Sequence, residues 1–143
     1  MAVSGHLLAS ASDDKYVHVW DMSAKKELYR MKHGSAVNYV LFYKDLIIST
    51  SMDRSTRIWC SRTGEQLHSM NNENISLQFD ISPDGTMIAL PHRRGVAIWS
   101  LANYEKIAEV KLADLDEVYF LTNEKMVAVS SSGRVSLITS TVQ

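Results

Sequence analysis

The sequence predicts an all-β fold built from one repeated unit of strands. Three tryptophans, Trp20, Trp59 and Trp99, end short alternating apolar runs and are spaced 39 and 40 residues apart. A fourth run, Val135 to Ile138, ends 39 residues later with isoleucine in the tryptophan position. A strand-rich period of about 40–45 residues is typical of four-stranded propeller blades. The chain of 143 residues therefore has room for an incomplete propeller of about three and a half blades.

The first and second repeats, approximately residues 1–32 and 33–70, are predicted to alternate in hydrophobicity with period two, as half-buried strands do. The first repeat begins late, so its innermost strand is either missing or reduced to residues 1–4. The predicted strands span residues 7–12, 16–21 and 26–31 in the first repeat, and 36–43, 46–51, 56–60 and 65–70 in the second.

The third and fourth repeats, approximately residues 71–112 and 113–143, follow the same pattern. A turn at Ser82-Pro83-Asp84-Gly85 is favoured because proline presets φ and glycine tolerates positive φ. The predicted strands span residues 75–81, 86–90, 95–100 and 106–111, and then 117–121, 126–130 and 134–139. The fourth repeat stops before an outermost strand, so 14 strands are expected in all.

An incomplete propeller leaves an apolar blade face uncovered at each end, and such faces invite partners. Another propeller fragment or a second copy of the chain could cover them. Simple closure by two copies is disfavoured, because a copy ending on a third strand is not continued by one starting on a second strand. The chain is therefore expected to be a fragment or isoform of a longer propeller.

Composition excludes several classes of function. The formal net charge is −1, which gives no electrostatic footprint for nucleic acid. Cys60 has no second cysteine to pair with, and no apolar run approaches the roughly 20 residues of a membrane span. No metal-ligand spacing or Gly-rich phosphate loop occurs, so no metal or cofactor is expected. With no secretory signal visible, an intracellular location, cytoplasmic or nuclear, is predicted, and membrane binding is disfavoured.

The best repeats, Leu8 to Asp21 and His33 to Trp59, resemble those of the WD-repeat (Trp-Asp) family of β-propellers. The resemblance implies a buried hydrogen-bonded tetrad of histidine, Ser/Thr, aspartate and tryptophan in each blade. A satisfied buried network of this kind fixes one arrangement of strand and turn. The implied tetrad residues are His33, Ser51, Asp53 and Trp59 in the second repeat, and Ser12, Asp14 and Trp20 in the first.

The third and fourth repeats depart from this pattern. The third has Pro91-His92-Arg93-Arg94 at the tetrad turn and Asn72 near the histidine position. The fourth has Ser130 and Ser132, with Ile138 in place of tryptophan. Because the tetrads are incomplete, we expect the carboxyl-terminal half to be less rigid than the first two blades.

Two alternatives to a structural reading stay open. His33, Ser51 and Asp53 have the composition of a hydrolase triad, but no glycine-flanked nucleophile turn surrounds the serine. Arg93 and Arg94 resemble the paired arginines of phosphoinositide-binding propellers, although here they precede the third strand of a blade rather than follow the fourth.

The resemblance also implies a ligand surface on the narrow face of the propeller. Transferred position by position, its residues are Asp13, Ala36, Asn38, Met52, Leu77, His92 and Ser131. Their mixed apolar and polar character suits a protein or peptide better than a phosphate or a sugar. A non-catalytic scaffold or adaptor that binds protein or peptide partners is therefore predicted.

Overall fold

The computed structural model describes residues 1–71, 78–92 and 94–139. These residues form antiparallel β-strands and no helix, so none of them belongs to a helix that could cross a membrane. The chain divides into two compact units, Met1–Ile75 and Ser76–Gln143. Each unit contains two sheets.

The first unit holds two four-stranded sheets, each ordered as its strands follow in the chain. The first sheet consists of β1 (Ala2–Ser4), β2 (Leu7–Ala11), β3 (Tyr16–Asp21) and β4 (Lys26–Lys32). The second sheet consists of β5 (Val37–Tyr43), β6 (Leu46–Ser51), β7 (Ser55–Cys60) and β8 (Gln66–Asn71). The innermost strand of the first sheet is thus present in its reduced form, where Ala2 pairs with Ala9.

The second unit holds a four-stranded and a three-stranded sheet. The third sheet consists of β9 (Asp80–Ile81), β10 (Met87–His92), β11 (Gly95–Ser100) and β12 (Lys106–Lys111). The fourth consists of β13 (Leu115–Phe120), β14 (Lys125–Ser130) and β15 (Val135–Thr139). The described residues therefore contain 15 strands where the sequence predicted 14, and the difference is β1. Of the strand predicted at 75–81, residues 75–77 fall outside the described residues, and β9 forms at its carboxyl-terminal end.

Period-two alternation places the core of the first unit between its two sheets. Ala9, Val17 and Val19 of the first sheet are fully buried against the second sheet. Ile47 and Trp59 of the second sheet belong to the same apolar cluster. The face of the first sheet that carries these small residues therefore covers the tryptophan face of the second.

The core of the second unit repeats this arrangement. Ala89, Val96 and Ile98 of the third sheet pack with Met126 and Ile138 of the fourth. Ile138 holds the position that tryptophan has in the other sheets. Together with Met126 and its other apolar neighbours, it keeps this face of the fourth sheet buried against the third.

A β-bulge recurs at the same place in three sheets. The pairing register shifts between Val19 and Trp20, between Ile58 and Trp59, and between Ile98 and Trp99, each time against the outermost strand. Bulges are built features that bend a strand and re-aim its side chains. Their repetition shows that these sheets are copies of one structural unit.

The predicted turn at residues 82–85 forms. The Gly85 N–H donates to the Ser82 carbonyl at 2.8 Å, and Gly85 has φ of 73°. The Ser82 hydroxyl donates to Asp84 at 2.7 Å, which fastens the turn from within.

Candidate functional site

A buried hydrogen-bond network connects β6 and β7 to His33, which lies between β4 and β5. The Trp59 indole N–H donates to Ser49 Oγ at 2.9 Å, and Ser49 Oγ lies 2.7 Å from His33 Nε2. On the other side of the ring, His33 Nδ1 lies 3.2 Å from Ser55 Oγ, whose hydroxyl donates to Asp53 at 2.6 Å. The hydrogen bonds form one chain in which each group donates to the next. The chain runs from Trp59 through Ser49, His33 and Ser55 to Asp53.

The bridging serine is Ser49, and the prediction of Ser51 was wrong. The Ser51 hydroxyl donates to the Ser35 carbonyl at 3.0 Å and accepts from the Asp53 N–H at 3.1 Å. Ile47 pairs with Trp59, and Ser49 lies two residues further along β6 on the same face. Ser49 is therefore the diagonal cross-strand neighbour of Trp59, within reach of the indole. Since Ser51 is not bonded to His33, the hydrolase triad proposed from sequence is not formed.

Glycine follows His33 because the backbone approaches Asp53 closely there. The Gly34 N–H donates to Asp53 Oδ2 at 2.7 Å, and a Cβ on Gly34 would lie 3.2 Å from the same carboxylate. Burial alone would raise the pKa of Asp53. The hydrogen bonds from Ser55 and Gly34 outweigh that effect and lower its pKa to about 2.

His33 is uncharged at neutral pH. Burial lowers the pKa of its imidazole to about 4, against the opposing attraction of the Asp53 carboxylate 3.4 Å from Nδ1. The His33–Asp53 contact is therefore a contact between a neutral ring and an anion rather than an ion pair. Both His33 and Ser49 are buried, which suits a structural network.

We expect the first unit to lose stability between about pH 6.5 and pH 4 because of His33. The unfolded chain takes up a proton near the ordinary imidazole pKa of 6.5, whereas the folded protein does so only near 4. Acid therefore favours the unfolded state, by about 3 kcal/mol over this interval. An NMR titration of the imidazole signals checks the cause: an onset of His33 protonation near pH 6.5 in folded protein would contradict it.

The corresponding network of the first sheet is open to solvent. Ser12 and Asp14 hydrogen-bond within their turn, where Asp14 N–H donates to Ser12 Oγ and Tyr16 N–H to Asp14 Oδ1. Trp20 is 39% exposed, whereas Trp59 is 5% exposed. The prediction of a buried Trp20 was wrong because burial of this face depends on a covering sheet, and the first sheet covers Trp59 but nothing described covers Trp20.

His18 occupies the position that Arg57 holds in the second sheet, two residues before the tryptophan. Arg57 Nη2 lies 3.4 Å from Asp53, and Arg57 Nη1 donates to Gln66. In the first sheet, His18 Nε2 lies 2.7 Å from Asp14 and His18 Nδ1 lies 2.7 Å from Glu27. Because both ring nitrogens face carboxylates, the hydrogen bond to Glu27 and then that to Asp14 raise the pKa of His18.

We expect this histidine to act on stability in the direction opposite to His33. Its contribution is fully present below pH 6.5 and is lost as the pH rises through the raised folded-state pKa. Arg30, which lies opposite His18 and binds Glu27 at 2.7 Å, and the Tyr16 ring complete its surroundings. The free energy of unfolding, measured with urea at pH 6 and pH 8, should show this loss of stability at the higher pH in the wild-type chain. In His18→Arg the loss should be absent. His6→Arg, at an exposed site, is the control, and an unchanged pH response in His18→Arg would contradict the assignment.

Among the described residues of the third and fourth sheets, the network does not recur. Leu90 pairs with Ala97 where Ser49 pairs with Arg57, and the buried Trp99 indole N–H has no partner among the described residues. In the fourth sheet Ala128 takes the serine position, and Ser130 bonds Ser132 at 2.8 Å within the turn. Asn72 and Arg93 lie outside the described residues.

The predicted ligand residues differ in exposure. Asp13, Met52 and Ser131 are exposed, Ala36 and Asn38 are half-buried, and Leu77 lies outside the described residues. His92 is buried, so its predicted place on the surface was wrong: His92 Nδ1 accepts the Arg94 N–H at 3.2 Å and Nε2 lies 3.5 Å from Glu109.

Three of these residues form one strand-end surface in the second sheet: Ala36, Asn38 and Met52. The Met52 N–H donates to the Ala36 carbonyl at 2.9 Å, and the register of β5 shifts at Asn38. The fourth sheet repeats this geometry, since the Ser131 N–H donates to the Asp114 carbonyl at 3.1 Å and the register of β13 shifts at Asp116. Asp114 and Asp116 therefore hold the positions equivalent to Ala36 and Asn38, and the sequence analysis did not identify them.

Within the residues that the structure describes, no three His, Cys, Asp or Glu side chains gather as a metal site. Arg94 is exposed immediately before β11. The phosphoinositide alternative, which needs Arg93 as well, stays a prediction.

Comparison with known proteins points to one family. The family model described as WD domain, G-beta repeat, matches residues 1–21. The chain is 31% identical over 100 residues to THO complex subunit 3 of Arabidopsis thaliana, covering 63% of this chain and 31% of that protein. It is 21% identical over 145 residues to WD repeat-containing protein 89 homolog of Dictyostelium discoideum, covering 96% of this chain and 40% of that one.

A shorter match, 38% identical over 53 residues, links it to the human U5 small nuclear ribonucleoprotein 40 kDa protein, with 35% of this chain and 15% of that one covered. The chain thus spans well under half the length of each of these relatives. The repeat matched at the first tryptophan and the relative named for the same repeat show that the chain is similar to WD-repeat proteins. Its antiparallel sheets with a shared bulge position agree with the blades of an incomplete β-propeller.

Proposed function

We propose that this chain is a non-catalytic scaffold or adaptor that binds protein or peptide partners. The observation that carries the proposal is the strand-end surface of the second sheet. Met52 is 43% exposed at the tip of a turn whose backbone is fixed to Ala36. A flexible, polarizable methionine beside an amide offers an adaptable contact for a partner side chain.

The fourth sheet presents different chemistry at the equivalent place. Asp114 and Asp116 put two exposed carboxylates where the second sheet has Ala36 and Asn38. A partner segment that reaches this sheet would gain from a basic residue, while one at the second sheet would gain from an apolar residue.

The names of relatives support a role in assemblies. Two are called a subunit of the THO complex and a protein of the U5 small nuclear ribonucleoprotein. We extend to this chain a role as one component of an intracellular assembly, cytoplasmic or nuclear, and as part or isoform of a longer propeller. The share of those relatives that it spans is consistent with the latter.

Peptide display on the immobilised chain, followed by calorimetry of the selected peptides, tests the function. We expect Met52→Glu to weaken binding of the selected peptides at least about tenfold. A loss of this size is typical of a contact at the centre of an interface. Leu67→Glu is the matched control, since Leu67 is 46% exposed on the outermost strand of the same sheet. Failure to select any peptide would contradict the scaffold function, and equal binding to both variants would remove the strand-end surface from it.

A further inference from the structure

The turns before β3 and β7 carry a cation in the same position. Lys15 has φ of 78° and Arg54 has φ of 67°, and each stands five residues before the tryptophan of its sheet. Both side chains are exposed. The fourth sheet has Gly133 in this position, with φ of 79°. Because glycine adopts the left-handed region at less cost, the turn itself does not require a long charged side chain there.

Both turns are bonded to the connecting segment 33–37, which lies between β4 and β5. From one turn, the Lys15 carbonyl accepts the His33 N–H at 2.8 Å. From the other turn, Asp53 Oδ2 accepts the Gly34 N–H at 2.7 Å. Since neighbouring residues of one segment bind the two turns, a short peptide that lies along this segment reaches both of them.

Three cations adjoin this segment and are free to bind an anion. Lys15 and Arg54 come from the two turns, and Lys32 immediately precedes the segment. All three are exposed. None of them forms an ion pair with the part of the chain that the structure describes.

Most of the acids on the same turns are already engaged. Asp14 Oδ2 lies 2.7 Å from His18, and Asp53 Oδ2 lies 3.4 Å from Arg57. Asp13 is exposed and forms no ion pair with another described residue. Three cations therefore stand against one carboxylate, and this excess of positive charge favours an anionic group on the partner.

We propose that the strand-end surface of the second sheet binds a peptide in which an apolar residue lies beside an anionic one. This inference rests on the proposed function and names the chemistry of the partner. Met52 contacts the apolar residue, and Arg54, two positions further along the same turn, binds the anionic group. A guanidinium offers paired donors that match a carboxylate or a phosphate. Lys15 and Lys32 add attraction as point charges.

The fourth sheet does not offer this combination. Gly133 replaces the cation of the turn, and Asp114 and Asp116 expose two carboxylates. An anionic segment is therefore attracted at the second sheet and repelled at the fourth, which gives the two surfaces different specificity. The net charge of −1 leaves no wider positive field, so a short acidic segment of a protein suits the site better than a nucleic acid or a membrane.

Charge replacement in both binding partners tests the inference. We expect peptides selected on the immobilised chain to carry Asp or Glu next to an apolar residue. Calorimetry should show binding about threefold weaker in Lys15→Gln and in Arg54→Gln, because an exposed ion pair contributes modestly. The double variant should lose about tenfold, since well-separated contacts add. Replacing the acidic residue of the peptide by its amide should weaken binding to the wild-type chain but hardly to the double variant.

Arg62→Gln is the matched control. It removes the same charge at the opposite end of β7, where Arg62 is 74% exposed and lies 3.0 Å from Asp45. This variant should bind the selected peptides as the wild-type chain does. Raising the salt from about 50 mM to about 500 mM should weaken binding to the wild type and to Arg62→Gln, and should affect the double variant far less.

A phosphoserine in place of the acidic residue of the peptide separates the two sources of the anion. Tighter binding that the double variant loses identifies phosphate, and weaker binding identifies the carboxylate; both agree with the proposal. Selected peptides without acidic residues overturn it and leave the proposed function standing. So does equal binding by the double variant and Arg62→Gln, when circular dichroism shows both folded. Selection of no peptide at all contradicts both.

Discussion

Gly95→Ala should prevent correct pairing of β11 with β12. Gly95 has φ of 151°, and a Cβ at this position would lie 1.7 Å from the Val110 carbonyl oxygen. That oxygen belongs to the backbone of the neighbouring strand and cannot move aside without breaking the ladder. We expect the free energy of unfolding to fall by about 4 kcal/mol or more, an effect that few single substitutions reach.

Gly133→Ala is the matched control in the same unit. Gly133 has φ of 79° and nothing lies within 4 Å of the added Cβ, so only backbone strain opposes the change. That strain costs about 1–2 kcal/mol. Thermal unfolding by circular dichroism, with hydrogen exchange of the β11 and β12 amides, compares the two. Failure of Gly95→Ala alone to fold agrees with the prediction, and equal stability of the two variants refutes it.

Ser49→Ala should destabilise the first unit far more than Ser51→Ala. Removing Ser49 Oγ leaves the Trp59 indole N–H and His33 Nε2 buried without their partner. Each polar group left without a partner costs about 1–3 kcal/mol, so we expect a loss of about 2–6 kcal/mol in total. Loss of the Ser51 hydroxyl should cost about 1 kcal/mol, because its contacts are ordinary neutral hydrogen bonds of a turn.

Urea unfolding of the two alanine variants measures this difference. Ser49→Thr keeps a hydroxyl in place and should recover most of the stability lost in Ser49→Ala. Equal losses at the two serines, or a larger loss at Ser51, would show that the network does not depend on Ser49.

The strands were predictable because alternation leaves a strong local signal. The strand 16–21 and the strands 46–51, 95–100 and 106–111 were predicted with the bounds that the structure has. By contrast, β1 has three residues and too little alternation to be recognised. Its pairing with β2 is a property of the hairpin rather than of its own sequence.

The site was less predictable, for two physical reasons. Ser49 and Ser51 lie on the same face of β6, so period two cannot separate them, and only the cross-strand position of Trp59 identifies the bridging serine. Burial of Trp20 and His92 depends on the residues of neighbouring strands and sheets, which a single strand does not encode. Asp53, His33 and Trp59 were identified because the resemblance to WD repeats implies those residue types at these positions.

The unequal surroundings of Trp20 and Trp59 give the chain an intrinsic optical probe. Indole emission shifts to longer wavelength in contact with water, so Trp20 should dominate the red edge of the fluorescence and be the tryptophan that acrylamide quenches. Any molecule that settles over this indole would shift the emission to the blue and slow the quenching. Occupancy of that one surface can thus be followed in the unlabelled protein.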